Sequence, residues 1–174
     1  MLKINSNELI TNITIKNCKI EDLYLDKMLF LIDLWAWITG FTFKQNLLRR
    51  IKTTHGNRIY GIDLVGEDLF KEAKDIIIKD NIFDDFKNEY NETYNTAFPL
   101  VINISEHVNN LTIIRNEFKN IRALHASAKN GYGIQFYSEI NSSQQIKVVD
   151  NHFHIDNYES DGVQHYIYTW IEIN

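Results

Sequence analysis

The stretch that decides the fold is DIIIKDNIF at residues 75–83, because its pattern of residue types recurs along the chain. NLTIIRNEF at residues 110–118 and QIKVVDNHF at residues 145–153 follow at steps of 35 residues. GFTFKQNLL at residues 40–48 lies 35 residues before it, and NITIKNCKI at residues 12–20 a further 28 residues upstream. A fixed period of this length is the signature of a repeat architecture, in which each unit stacks on the next.

The first half of each copy predicts a β-strand. In the copy at residues 40–48, Phe41 and Phe43 flank Thr42, and this alternation is typical of a strand with one buried face. β-Branched and aromatic residues dominate, which favours strands over a helical repeat of similar length. The residues that close the copies are expected to fill the interior, the last three as one aromatic column. They are Ile20, Leu48, Phe83, Phe118 and Phe153.

A polar column stands two residues before this closing position. Its members are Cys18, Asn46, Asn81, Asn116 and Asn151. Asparagine tolerates the left-handed conformation and hydrogen-bonds locally, so we expect it to form the sharp bend between two strands. Stacked copies would align the side-chain amides in a ladder, with Asn81 and Asn116 buried and hydrogen-bonded. Cys18 departs from the pattern, so the ladder is expected to begin at the second copy.

A second strand-forming stretch lies between successive copies. The candidates are residues 28–34, 59–64, 100–104, 133–137 and 166–171. Two segments also have helical character. Residues 21–38 place Met28, Ile32, Trp35 and Ile38 on one helical stripe, but the repeat favours strand and bend there. Residues 67–74 contain helix formers and early acids, which is typical of one or two helical turns within a loop.

The order of strand, asparagine corner and strand resembles the right-handed parallel β-helix superfamily, the pectin-lyase-like proteins and phage tailspikes. The resemblance covers residues 10–174. It implies a stacked asparagine ladder at Asn46, Asn81, Asn116 and Asn151. It also implies an all-β fold, a right-handed parallel β-helix solenoid of about five coils, formed by one domain over residues 1–174. Residues 1–11 are expected to cap its first coil. Such a resemblance is informative about architecture and nearly silent about chemistry.

Composition restricts the class of protein. The chain has 174 residues, of which 44% are hydrophobic, and a formal net charge of -5. Its longest nearly apolar stretch, residues 28–38, is interrupted by Asp33 and is too short to span a bilayer. One cysteine excludes an internal disulfide framework. The acidic balance argues against nucleic acid as a partner. A start without an apolar signal segment leads us to expect a cytoplasmic protein.

The only Asp-Asp doublet is Asp84-Asp85, and paired carboxylates can cleave glycosides. The same columns in neighbouring copies hold Arg49-Arg50 and Lys119, however, which predicts cross-strand charge pairs on a solvated face. We therefore assign no catalytic residue and do not favour an enzyme.

A metal or cofactor is not expected either. His152 and His154 are two residues apart on one strand and could face the same side, as metal ligands would. The repeat brings no further histidine or cysteine to them. Cys18 is interpreted as a small buried filler rather than a nucleophile.

These observations predict a non-enzymatic intracellular binding protein that acts through an acidic, rigid surface. An immunity protein that neutralises a basic toxin is such a protein. The expected contacts are Asp84, Asp85, Glu89 and Glu92, which cluster in one strand-and-loop region. The partner would be a protein, with no nucleic acid and no membrane involved, and the last coil could also mediate self-association.

The alternative is a carbohydrate-binding or carbohydrate-cleaving β-helix, such as a polysaccharide lyase or hydrolase or a tailspike-like fragment. Exposed aromatic residues would support it, because sugars stack on aromatic rings. Trp35 and Trp37 share one strand face near the first coil, and Tyr166 and Tyr168 share one near the last. These side chains either pack the terminal coils, bind sugar or contact a protein.

Overall fold

The computed structural model describes residues 2–26, 29–54, 58–66, 72–89, 98–105, 107–123, 131–136, 145–154 and 167–170. The described residues form strands and contain no helix. The strands are β1 (Leu2–Lys16), β2 (Lys19–Leu25), β3 (Leu29–Lys44), β4 (Leu47–Thr53), β5 (Arg58–Val65), β6 (Ala73–Lys79), β7 (Ile82–Asn88), β8 (Phe98–Ile104), β9 (Val108–Ile114), β10 (Glu117–Ala123), β11 (Gly131–Phe136), β12 (Ile146–Val149), β13 (His152–His154) and β14 (Ile167–Trp170).

The strands form two sheets, and every described pairing is parallel. The five-stranded sheet has the order β13-β10-β7-β4-β2. The nine-stranded sheet divides at β3, whose first part pairs with β5 and whose last part pairs with β6. One branch continues through β8, β11 and β14, and the other through β9 and β12. Such all-parallel pairing of curled sheets is compatible with a parallel β-solenoid.

The strand register follows the sequence repeat. Phe43 of β3 pairs with Ile78 of β6, which pairs with Ile113 of β9. The predicted strands of the second stretch are also present, although the strand predicted at residues 28–34 is continuous with the repeat motif in β3. The helical alternative for residues 21–38 is wrong where that segment is described, since β2 and β3 occupy it. The helical turns predicted at residues 67–74 fall largely outside the described residues.

The aromatic column predicted from the repeat is present. The rings of Phe83 and Phe118 stack with centroids 5.2 Å apart, and those of Phe118 and Phe153 with centroids 4.8 Å apart. Phe83 and Phe118 are fully buried, whereas Phe153 remains 37% exposed because it lies in the terminal strand β13. Gly133 packs beside the column, and a Cβ there would lie only 2.5 Å from the Phe153 ring. A side chain at this position would therefore have to displace the Phe153 ring.

The asparagine column is buried and fully hydrogen-bonded in its centre. Asn81 Nδ2 donates to Asn116 Oδ1 at 2.9 Å and to the Phe43 carbonyl at 3.0 Å. Asn81 Oδ1 accepts from both the backbone N–H and the Nδ2 of Asn46. Asn116 repeats this arrangement with Asn151. Because buried polar groups are stable only when paired, each amide secures the next strand in register.

The residue that bends the chain is the neighbour of each column member, contrary to the expectation that asparagine itself would do so. The left-handed residues are Asn17, Gln45, Asp80, Arg115 and Asp150, with φ between 52° and 56°. The four asparagines of the column have no positive φ, and their side chains hydrogen-bond to one another along it. Further left-handed residues stand five positions to either side, at Asp75 and Asp85 in the third copy.

Gln45 offers a test of this bend. It is exposed at φ 55°, where a side chain without local hydrogen-bonding capacity is strained. We expect Gln45→Asn to raise the free energy of unfolding by about 0.5–1 kcal/mol, measured by urea denaturation. Gln45→Val is the matched control and should lower stability, since β-branched residues fit the left-handed region worst. Equal stability of the two variants would contradict the assignment.

The segment expected to cap the first coil contributes a strand. Leu2 to Ser6 and Ile10 to Lys16 pair in parallel with β3, with a register shift between the two parts. Ile4, Ile13 and Ile15 pack against the core from this strand and remain partly exposed. In the described part of the chain, β1 and β2 are therefore the outermost strands at this end.

Candidate binding surfaces

The outward side of the five-stranded sheet carries a regular row of alternating charges. Glu21 of β2 is in register with Arg49 of β4, which is in register with Asp84 of β7 and, beyond it, Lys119 of β10. Glu21 and Arg49 form an ion pair. Opposite charges on adjacent strands stabilise a sheet. The interpretation of these columns as cross-strand charge pairs agrees with this register.

A second cross-strand charge pair lies beside this row, between Asp22 of β2 and Arg50 of β4. Arg50 Nη2 donates to Asp22 Oδ2 at 2.8 Å, and the same guanidinium reaches Glu21. The hydrogen bond from Arg50 lowers the pKa of Asp22 from its ordinary value, and that from Lys19 lowers the pKa of Glu21. Both carboxylates are thus held in their charged form at neutral pH.

Three of the four predicted contact acids are described, and each has a basic or amide neighbour. Asp84 lies between Arg49 and Lys119 in register and accepts a hydrogen bond from Asn120 at 3.2 Å. Asp85 pairs with Lys87 at 2.9 Å, and Glu89 pairs with Lys52. Glu92 lies outside the described residues. The three described acids are therefore part of a mixed-charge surface.

Asp85 and Glu89 come together at one small depression. Its other walls are formed by Arg50, Lys52, Lys87 and Tyr24. Tyr24 is 62% exposed, and the Lys52 ammonium stands 5.8 Å from the centre of its ring. An exposed tyrosine among fixed charges is typical of a protein-contact surface, because its ring is apolar and its hydroxyl is polar.

A carboxylate pair that the repeat did not reveal lies in the nine-stranded sheet. Asp33 of β3 and Asp63 of β5 are direct neighbours in register, followed by Asn103 of β8. Lys3 pairs with Asp33 at 3.1 Å, and Asn103 Nδ2 donates to Asp63 Oδ1 at 2.7 Å. Burial raises the pKa of Asp63, with a further contribution from the charge of Asp33. The sequence feature that could have revealed this pair is an aspartate inside each of the apolar segments 29–35 and 58–65.

The pKa of Asp63 predicts how stability depends on pH. The folded state holds its proton more tightly than the unfolded chain, so stability falls as pH rises through the window above the ordinary carboxyl value. Asp63→Asn should match the wild type near pH ~3 and become the more stable protein towards pH ~7. Thermal melts across this range measure the difference. Asp22→Asn is the control of opposite sign, because the pKa of Asp22 is lowered.

The histidine and cysteine candidates are not assembled into a metal site in the described part of the chain. His152 and His154 lie on β13 and are both exposed. Among the described residues, no three His, Cys, Asp or Glu side chains could hold a metal ion together.

Cys18 is exposed, and the expectation that it is buried is wrong because it lies at the turn between the edge strands β1 and β2. Its backbone N–H donates to Asn46 Oδ1, so the ladder of amides begins at Asn46 as predicted.

The aromatic candidates divide between exposed and buried. Trp35 is 53% exposed and Trp37 is half-buried, both on β3. Tyr166 and the side chain of Tyr168 lie outside what is described.

No helix in the described residues is long and apolar enough to cross a membrane. Comparison with known protein families, curated proteins and solved structures finds no match.

Proposed function

We propose that the chain is a right-handed parallel β-helix of five coils, of the pectin-lyase-like and tailspike-like kind. Three features support this. The sequence repeat agrees with the strand register, the pairings are parallel, and the asparagine side chains bond along one column. Right-handed connection is the general rule for parallel strands joined by a crossover.

We infer that it works as a non-enzymatic intracellular binding protein, acting in the cytoplasm. The observation that carries this proposal is the row of alternating charges on the five-stranded sheet. The backbone holds Glu21, Arg49, Asp84 and Lys119 at the strand spacing of ~4.8 Å. A rigid, charge-patterned surface suits protein recognition, because little side-chain order is lost on binding and charge complementarity selects the partner.

The partner class that we propose is a basic protein, with the chain as an immunity protein that neutralises a toxin. The net charge of -5 supports this, because it attracts a basic partner over a long range. Asp84, Asp85, Glu89 and Glu92 are the proposed contacts. In a complex, the partner's cations would join Lys87 at Asp85, Lys52 at Glu89 and the Asn120 amide at Asp84.

The test uses affinity capture from the native host at low salt, followed by titration of the captured protein after purification. Asp85→Asn combined with Glu89→Gln should weaken binding several-fold at low salt and less at high salt. Neutral substitutions are chosen because lysine at these positions would add cations beside Lys52 and Lys87. The matched control is Asp22→Asn combined with Glu117→Gln, which changes the charge equally on the same sheet. Equal affinity of both double variants would contradict the acidic contact surface.

A carbohydrate-binding function is the second candidate, and one arrangement favours it. Asp33 and Asp63 are neighbours in register, and the exposed Trp35 follows Asp33 by two residues on β3. A carboxylate pair beside an exposed indole is a combination used for sugars. Titration of tryptophan fluorescence with neutral and acidic oligosaccharides tests it. A change that disappears in Trp35→Ala supports this candidate, and no change in the wild type excludes it for those sugars.

A further inference from the structure

Three lysines stand in register on neighbouring strands of the nine-stranded sheet. Lys16 of β1 is opposite Lys44 of β3, which is opposite Lys79 of β6. Neighbouring strands are ~4.8 Å apart, and like charges directly opposite each other destabilise a sheet. We call these three residues the lysine row. It is a local concentration of positive charge on a chain whose net charge is negative.

The lysine row differs from the cations of the five-stranded sheet in its partners. Lys52, Lys87 and Lys119 each contact a carboxylate. Among the described residues, no carboxylate lies within 4.0 Å of the ammonium groups of the lysine row. Asp80 follows Lys79 directly, but its carboxylate is engaged by Arg115 at 2.8 Å. The fold therefore leaves the charge of this row available to an anion from outside.

An open groove lies beside the lysine row, over the corner where the chain passes from the nine-stranded to the five-stranded sheet. Leu47 and Ile82 give it apolar surface, and Ile82 is 37% exposed. Asn17 and Gln45, the residues that follow Lys16 and Lys44, line it with carboxamides. Asp80 and Lys19 also line it, but each is already paired, Asp80 with Arg115 and Lys19 with Glu21. The groove thus combines apolar contact, hydrogen-bonding groups and an adjacent row of cations.

We propose that this groove binds an extended acidic segment of a partner protein. Acidic side chains of the segment pair with the lysine row, and its apolar side chains pack on Leu47 and Ile82. The carboxamides of Asn17 and Gln45 hydrogen-bond to its backbone. The lining favours a polypeptide over a nucleic acid, because bases stack on aromatic rings and the described residues that line the groove include none. The lysines are ~4.8 Å apart along the row, whereas the side chains on one face of an extended peptide repeat every ~6.6 Å. The long, flexible lysine side chains bridge this difference in spacing.

The test measures fluorescence anisotropy of labelled peptides in which Glu and Leu, Gln and Leu, or Lys and Leu alternate. The Glu-Leu peptide should bind, the other two should not, and added salt should weaken the binding. Lys44→Glu combined with Lys79→Glu should weaken it at least about tenfold. The control is Lys74→Glu combined with Lys147→Glu, which changes the net charge equally at residues that do not line the groove and should bind like the wild type.

Folding is checked by thermal melting of both double variants. The two substitutions replace two like-charge pairs of the row by one opposite-charge pair, at positions 16 and 44, and one like-charge pair, at positions 44 and 79. The groove variant should therefore melt no earlier than the wild type, and a loss of binding is then a loss of contact. No binding of the Glu-Leu peptide, or equal affinity of the two double variants, overturns the proposal. Tighter binding of an oligothymidylate than of the peptide also overturns it. The acids Asp85 and Glu89 are unchanged in these variants, so the outcome is independent of the acidic-surface proposal.

Discussion

Replacing Phe118 by alanine is expected to lower the free energy of unfolding by about 3–5 kcal/mol. The ring is fully buried and stacked on both sides, with centroid distances of 5.2 Å to Phe83 and 4.8 Å to Phe153. Its removal leaves a cavity between two rings that the parallel backbone holds in register, so neighbouring strands cannot close the gap. Urea denaturation, with the transition followed by far-ultraviolet circular dichroism, measures the loss.

The control for this variant is Phe153→Ala, made at the end of the same column. Phe153 is already 37% exposed, so its truncation removes less buried surface and should lower stability by about 1–2 kcal/mol. If Phe118→Ala were no more damaging than Phe153→Ala, the aromatic column would not be a central part of the core.

The second large effect is expected for Asn81→Leu, which should destabilise the protein by about 1–3 kcal/mol. Leucine has the branched shape of asparagine but is larger and cannot hydrogen-bond. The substitution leaves the Asn46 amide and the Phe43 carbonyl without the bonds they make to Asn81, in a buried position. Removing one partner of a buried hydrogen bond costs more than the bond itself contributes, because the other partner is not rehydrated.

Asn151→Leu is the matched control, because it lies at the end of the asparagine column and is only partly buried. Water can reach the groups that it leaves unpaired, so the loss should be less than half that of Asn81→Leu. Hydrogen exchange provides a second readout. The backbone N–H of Asn46 donates to Asn81 Oδ1 and should lose its protection in Asn81→Leu alone.

Much of this fold could be predicted from spacing because the repeat is simple. Copies 35 residues apart place like residues on neighbouring strands, and the observed pairing of Ile78 with Ile113 has this separation. The same reasoning identified Asn81 and Asn116 as a hydrogen-bonded pair and Phe83 and Phe118 as a stacked pair. Periodic side chains have periodic neighbours, so a column in the sequence becomes a column in space.

The bend was harder to assign, because two adjacent polar residues at each corner are both compatible with it. Asparagine at position 46 is the better left-handed residue by propensity, yet the chain bends at Gln45. Packing decides the matter, because only the residue after the bend can direct its side chain into the interior and bond to the next strand. Intrinsic preference is weaker than the free energy of a buried, satisfied amide.

The sequence by itself determined the strand repeat, its register and the two interior columns, since these follow from the alternation and spacing of apolar and polar residues. Only the tertiary structure decided which surface charges lack partners and which acids meet. Asp33 and Asp63 are 30 residues apart and Asp63 and Asn103 are 40, because the loops between their strands differ in length. A fixed period of 35 residues therefore does not align these three side chains. Lys16, Lys44 and Lys79 do follow the repeat. Whether a lysine is neutralised depends on the side chains that surround it in space, and those are brought together by folding.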